Sequence, residues 1–190
     1  MAVWFTSDTH FGHAAIIRLA QRPFDSVEAM DETLIARWNA TVAPDDTVWH
    51  LGDFCHRGAQ RIDEYRARLN GTIHLIAGNH DDVADGRLSH LFASIQYIVV
   101  VETDGQALAL CHYPMREWPR AWSGGWHLHG HVHGIYDDDP HGLSLDVGAD
   151  SHGFCPINVA RIGQLLVGRA NPFADEENRE ERARRARRRR

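Results

Sequence analysis

Three short apolar runs, residues 2–6, 47–51 and 72–77, constrain this chain most, because each ends abruptly in ionisable or amide side chains. Short apolar runs bounded by turn signals read as buried strands. They deliver Ser7-Asp8-Thr9-His10, Gly52-Asp53 and Gly78-Asn79-His80-Asp81-Asp82. Strand ends are where sites form in an open α/β sheet, so three strands predict one polar cluster along one sheet edge. Asp8 and His10 are two apart and share a face if the extended geometry persists.

Helical spacing separates these runs. Residues 13–20 read as a helix, and Asp25-Ser26-Val27-Glu28 caps a second whose apolar positions are Val27, Met30, Leu34 and Trp38. Ile62, Tyr65 and Leu69 mark the inward face of a third. Alternating strands and helices predict a parallel or mixed α/β sheet. After Asp82 the pattern becomes a hairpin, residues 95–101 and 107–111 around Asp104-Gly105, which delivers Cys111-His112-Tyr113-Pro114.

A loop at 114–126 rich in Trp, Pro and Gly then leads into His127, His129, His131 and His133. These share one parity, so an extended segment stacks four imidazoles on one face, an expensive arrangement unless something binds them. Residues 143–147 read as a last strand, and Pro156 as the start of a helix over 157–166.

A length of 190 residues suits one α/β domain, taken here as 1–170, with a flexible Glu/Arg-rich tail at 171–190. Residues 175–190 hold 8 arginines against 5 acidic residues, which leaves 12 arginines against 21 acidic residues in the body. An acidic body is a poor general nucleic-acid surface, whereas the arginine tail could tether RNA or DNA. Cys55, Cys111 and Cys155 form no C-x-x-C, and no signal peptide or membrane-length apolar segment is present. A reducing cytoplasm fits these features, without a membrane partner.

Asp8-Thr9-His10, Gly52-Asp53, Gly78-Asn79-His80-Asp81, His112 and Gly130-His131-Val132-His133, in this order, resemble the signature of the calcineurin-like metallophosphoesterases. The resemblance covers roughly residues 2 to 168. It implies two packed mixed β-sheets flanked by helices in four α/β/β/α layers, with the site on loops at the strand ends. Asp8, His10 and His133 would hold one metal ion, Asn79, His112 and His131 a second, and Asp53 would bridge them. Two aspartates, an asparagine and four histidines suit Mn first, or Fe, Zn or Ni, better than Mg or Ca.

A metal-bridging hydroxide would attack phosphorus, with His80 as general acid, Asn79 beside it and Asp81 or Asp82 setting the His80 tautomer. The stretch from Gly52 to Gly58 has the frame of the GDxxDRG motif of the Ser/Thr phosphatase branch. Arg57 is therefore a phosphate contact by resemblance, while His56 replaces the aspartate that would support a catalytic histidine. Phe11-Gly12-His13 and Arg22-Pro23-Phe24 match the small single-domain bacterial and phage-like members, and His13 either supports the ligands or lies exposed. The expected activity is phosphate-ester hydrolysis, with phosphodiesters favoured because of His10. The alternatives are a phosphomonoesterase or nucleotide-polyphosphate hydrolase, and a non-catalytic scaffold, which the filled ligand positions oppose.

Overall fold

A computed structural model describes residues 1–56, 62–84, 86–136 and 142–173. Strands β1 (Val3–Thr6), β2 (Thr47–His50), β3 (Thr72–Ile76) and β4 (Ser94–Gln96) run parallel in the order β4-β3-β2-β1. Thr6 lies opposite His50 and His50 opposite Leu75, so the three sequence runs end level. Their polar residues therefore leave the sheet from one edge, as the sequence pattern requires.

Strands β5 (Ile98–Thr103) and β6 (Gln106–Cys111) form an antiparallel hairpin, but the arm expected over 95–101 is divided, its first residues pairing with β3 as part of β4 and the rest with β6; β7 (Trp126–His129) and β8 (Ser144–Asp146) add in parallel to β6. Both sheets are mixed, because β9 (Ile157–Asn158) pairs antiparallel to β1 at the edge of the first. That short strand replaces the first turn of the helix expected at 157. Asn158 is the N-cap, its side chain accepting the Arg161 N–H, so helix α4 spans Val159–Leu166.

The layers follow from strand alternation. Trp4, Val48, Ile73 and Leu75 face helices α1 (Ala14–Leu19), α2 (Val27–Thr41) and α3 (Ile62–Ala67), packing on Met30, Leu34, Trp38 and Tyr65. Phe5, Ile76, Leu108, Leu110, Leu128 and Leu145 meet between the sheets, where Ile162 and Leu166 of α4 join them. On the outer face of the second sheet, Ala109 packs under Trp118, Ala121 and Phe173, beside a 3-10 turn at Ala121–Ser123. Among the described residues no helix is long and apolar enough to cross a membrane.

The four-imidazole ladder does not form. Strand β7 ends at His129, and His131 and His133 have left-handed backbones (φ 73° and 49°) that turn them away from the strand direction. His127 instead anchors the neighbouring loop. Its Nδ1–H donates to the Ala109 carbonyl at 3.0 Å, and its Nε2 accepts the Met115 N–H at 3.0 Å.

His50 is likewise structural. The Thr9 hydroxyl donates to the Phe54 carbonyl at 2.8 Å, so His50 Nε2–H is the donor to Thr9 Oγ1 at 3.0 Å. Burial pushes His50 down to about 3, with the His112 ring adding to it. His127 is pushed down to about 4 by burial and by His129. Unfolded imidazoles protonate near 6.5. These two folded rings therefore contribute stability above pH 6.5 that is lost as pH falls toward 3–4. The urea midpoint should fall between pH 6.5 and 4.5, each ring adding up to roughly 1.4 kcal/mol per pH unit. His127→Gln should make that slope shallower, and an unchanged slope would assign the titration elsewhere.

Candidate metal centre

The polar residues leaving the strand ends are held in unusual backbone conformations. Asp8, His10, Asp53, His131 and His133 all have positive φ, between 49° and 73°. L-residues rarely adopt this region, and functional sites are where such strain gathers. Asp8 and His10 therefore converge through left-handed turns, and the same-face geometry of an extended strand does not persist past Ser7. Backbone bonds hold the turns against the next loop: the N–H groups of Asp8, His10 and Phe11 donate to the carbonyls of Gly52, Asp53 and Phe54 at 2.9, 2.9 and 3.0 Å.

Each central carboxylate has one oxygen engaged and one turned inward. Asp8 Oδ2 accepts the His131 N–H at 2.9 Å, while Oδ1 lies 3.8 Å from His10 Nε2 and 4.0 Å from His133 Nε2. Asp53 Oδ1 accepts the His80 N–H at 2.8 Å, while Oδ2 lies 3.6 Å from His10 Nε2 and 3.5 Å from His112 Nε2. Asp8 Oδ1 and His10 Nε2 are buried without a hydrogen-bond partner among the described residues. Donors bound about 2.1 Å from one ion lie no more than about 4.2 Å apart. All four separations fall inside that limit.

The imidazoles are oriented to offer lone pairs. His112 Nδ1–H donates to the Leu51 carbonyl at 2.7 Å, which leaves Nε2 bare, 3.1 Å from Asn79 Oδ1. Two acceptors so placed call for a cation beside them. His133 Nδ1 pairs with Asp150 Oδ2 at 2.7 Å, directing Nε2 toward Asp8. Among the described residues, three sets of side chains bring ligand atoms within 4.8 Å of one another: Asp8, His10 and His133; His10, Asp53 and His80; and Asp53, His112 and His131.

Electrostatics agree with that fit. Burial pushes the Asp8 carboxyl up to about 7, although His112, His133 and Ser7 act in the opposite direction. Burial holds His10 far below the usual imidazole range, with His133 and Arg22 adding to it. A neutral imidazole and a reluctant carboxylate are groups that a divalent ion would stabilise as ligands.

A sequence model of the calcineurin-like phosphoesterases matches residues 1–175. The chain belongs to this family. An uncharacterized protein of Methanocaldococcus jannaschii is 33% identical over 171 residues, covering 86% of this chain and 90% of its own. The Gene 66 protein of Mycobacterium phage L5 is 28% identical over 181 residues, covering 79% and 87%. The crystal structure of an Aquifex aeolicus protein of unknown function superposes with a TM-score of 0.70 at 25% identity, covering 87% of this chain and 99% of that one. The match places the metal-dependent phosphoesterase fold around the cluster just described.

In this member of the calcineurin-like phosphoesterase family the structure brings together Asp8, His10, Asp53, Asn79, His80, His112, His131 and His133. Arg57 lies outside the described residues. Asp81 takes a different place from the one expected beside His80. Its buried carboxylate accepts the N–H groups of Asp53, Phe54 and Gly78 at 2.8, 3.0 and 2.9 Å, so it locks the two loops carrying Asp53 and Asn79 together. Gly78 permits that approach, since a Cβ there would overlap Asp53 Oδ1 and come within 2.7 Å of Asp53 N.

Two supporting residues were not assigned a role from sequence. The Arg22 side chain is fully buried and pairs with both Asp150 oxygens at 2.8 Å, while also donating to the carbonyls of Asp8 at 2.6 Å and Thr9 at 3.0 Å. One guanidinium thus fixes the Asp8 turn and the carboxylate that orients His133. Burial raises Asp150, but the hydrogen bonds from His133 and Arg22 win and hold it below the usual carboxylate range. Arg22 had a signal in its Arg-Pro-Phe motif. Asp150 had none, because its partners His133 and Arg22 are 17 and 128 residues away.

Removing the partner of a ligating imidazole typically weakens metal binding about 10–100-fold. Asp150→Asn should show that loss for one ion by titration calorimetry, together with a lower melting temperature because buried Arg22 loses its counter-charge. Unchanged metal affinity would show that Asp150 does not orient His133.

Proposed function

We propose that this protein is a dinuclear metal-dependent phosphodiesterase. The observation that carries the reading is the position of Asp53 Oδ2, 3.6 Å from His10 Nε2 and 3.5 Å from His112 Nε2. One oxygen between two imidazole nitrogens divides the donors into two groups. Asp8, His10 and His133 would hold one ion, and Asn79, His112 and His131 the other, with Asp53 shared. The mixed oxygen and nitrogen donors favour manganese first, with iron, zinc or nickel as other suited ions. When bound, two such ions lower the pKa of water toward neutrality and clamp a phosphoryl group in line with its nucleophile.

The chain's own residues supply positioning and the proton. His80 has a ring nitrogen within 4.8 Å of donor atoms of His10 and Asp53, and its backbone N–H donates to Asp53 Oδ1. In the proposed reaction this ring would pass a proton from nitrogen to the departing ester oxygen. Asn79 contributes its Oδ1 toward the second group through the contact with His112. Arg57 is proposed as a phosphate contact on sequence grounds alone. The preference for diesters over monoesters or nucleotide polyphosphates rests on the resemblance at His10 alone.

Manganese-loaded protein should bind two ions and hydrolyse bis-p-nitrophenyl phosphate faster than p-nitrophenyl phosphate; the reverse order would favour the phosphomonoesterase reading. His80→Ala should keep both ions while losing about 10²–10⁴-fold in turnover on alkyl or nucleotide esters. The loss should be smaller on p-nitrophenyl esters, whose leaving group departs without a proton. Equal losses on both classes would make His80 an orienting group instead.

The arginine tail is proposed as a tether for polyanionic substrates. Removing residues 175–190 should leave small-ester turnover unchanged and weaken activity only on RNA or DNA, an effect that fades with added salt. A salt-independent loss on small esters would overturn the tether.

A further inference from the structure

Each imidazole that offers Nε2 to the metal centre needs its other nitrogen held, since metal-bound histidines almost always donate that second N–H to an acceptor. His112 donates to a backbone carbonyl and His133 to the Asp150 carboxylate. His10 has neither. Its Nδ1 lies 3.3 Å from Nδ1 of His13, a buried side chain that the proposed reaction does not use.

We propose that His13 is a positioning residue for the first metal site: its Nδ1 accepts the Nδ1–H of His10 and so presents the His10 Nε2 lone pair to the ion. The inference rests on the dinuclear reading above.

One proton is shared between the two facing nitrogens, and geometry decides which ring carries it. If His13 were the donor, the His10 proton would sit on Nε2 and point toward Asp8 Oδ1 at 3.8 Å and Asp53 Oδ2 at 3.6 Å. Both separations are too long for a hydrogen bond, so a buried N–H would be orphaned. With the proton on His10 Nδ1, the short contact becomes a hydrogen bond and the bare Nε2 faces the donor set.

The His13 ring is itself built into place. Its backbone N–H closes a turn onto the His10 carbonyl at 3.1 Å, directly before α1. The Gly12 N–H donates to Asp31, at 3.2 Å from each oxygen, and Asp31 accepts the Tyr65 hydroxyl at 2.7 Å. His56 stacks on the ring with centroids 4.2 Å apart and planes at 21°, brought there by its own N–H bond to the Phe11 carbonyl at 3.0 Å. Three elements therefore converge to fix an imidazole whose inward contact is a metal-facing histidine. A neutral ring in this position orients His10 without adding charge, unlike Asp150 behind His133.

The test compares wild type, His13→Leu, which has no acceptor, and His13→Asn, whose Oδ1 can replace Nδ1, after circular dichroism shows that each is folded. In manganese titrations His13→Leu should lose about 10–100-fold in affinity for one ion only, and His13→Asn should recover most of it. In the zinc-loaded wild type, nitrogen-proton NMR should show an exchange-protected proton on His10 Nδ1 that disappears in His13→Leu. Wild-type affinity in the leucine variant, an asparagine variant as weak as leucine, or no protected Nδ1 proton in wild type would each overturn the proposal. A wild type binding one ion would overturn the dinuclear reading while leaving the His13 comparison readable at that ion; one binding none would overturn both.

Discussion

Two carboxylates, Asp8 and Asp53, and two imidazoles, His10 and His112, are buried together at the strand ends, and the surrounding architecture answers that constraint. Asp8 Oδ1 and His10 Nε2 have no hydrogen-bond partner among the described residues, and an unsatisfied buried polar group typically costs about 1–3 kcal/mol. Burial moves Asp8 up to about 7, so without a cation the carboxyl resists ionising near neutral pH. A ligand bound only by the folded chain adds about 2.7 kcal/mol of stability at a hundredfold excess over its dissociation constant. Stability given up in forming this cluster is thus recoverable by binding.

A cluster under that strain keeps its shape only if the loops are over-determined. The φ values of Asp8, His10, Asp53, His131 and His133 are each unfavourable for an L-residue, by about 1–3 kcal/mol at strained sites. Backbone bonds from the first loop to the second, the three N–H groups gathered by Asp81, and the four acceptor oxygens gathered by Arg22 oppose the relaxation of those turns. Asp81 bonds to backbone N–H groups, and Arg22 to backbone carbonyls and to Asp150, and not to the facing ligand atoms themselves. Their effect is to make the inward oxygen of Asp53 and the outer nitrogen of His133 non-negotiable in position.

Much of this was legible in the sequence because apolar runs and polar terminators are local signals. The runs at 2–6, 47–51 and 72–77 gave three strands, and level register followed from parallel pairing. The polar residues after them, with His112, His131 and His133, do meet in space. What escaped the sequence was set by long-range contacts: Arg22 with Asp150, Asp81 with the Asp53 loop, and β9 against β1. A two-residue strand carries too little pattern to separate from the helix that follows it. Of the two carboxylates expected to set the His80 tautomer, Asp81 is instead taken up by three backbone donors.

The histidines at 127, 129, 131 and 133 show how one glycine divides a repeated pattern into two uses. His127 and His129 stay in β7, where their Nδ1 atoms contact the backbone carbonyls of Ala109 and Gly130 at 3.0 and 3.1 Å. At Gly130 the chain passes so close to the first loop that a Cβ would overlap Ser7 Oγ and Asp8 Oδ2. The same approach lets the His131 N–H reach Asp8 Oδ2 and frees Asp8 Oδ1 to face the imidazoles. A side chain at 130 would push the strands apart, remove that N–H from Asp8, and turn the inward oxygen away. The parity of the four histidines thus carries less information than the residue between the second and third, since it is the absent side chain that brings a strand end into a cluster of groups that could hold a metal ion.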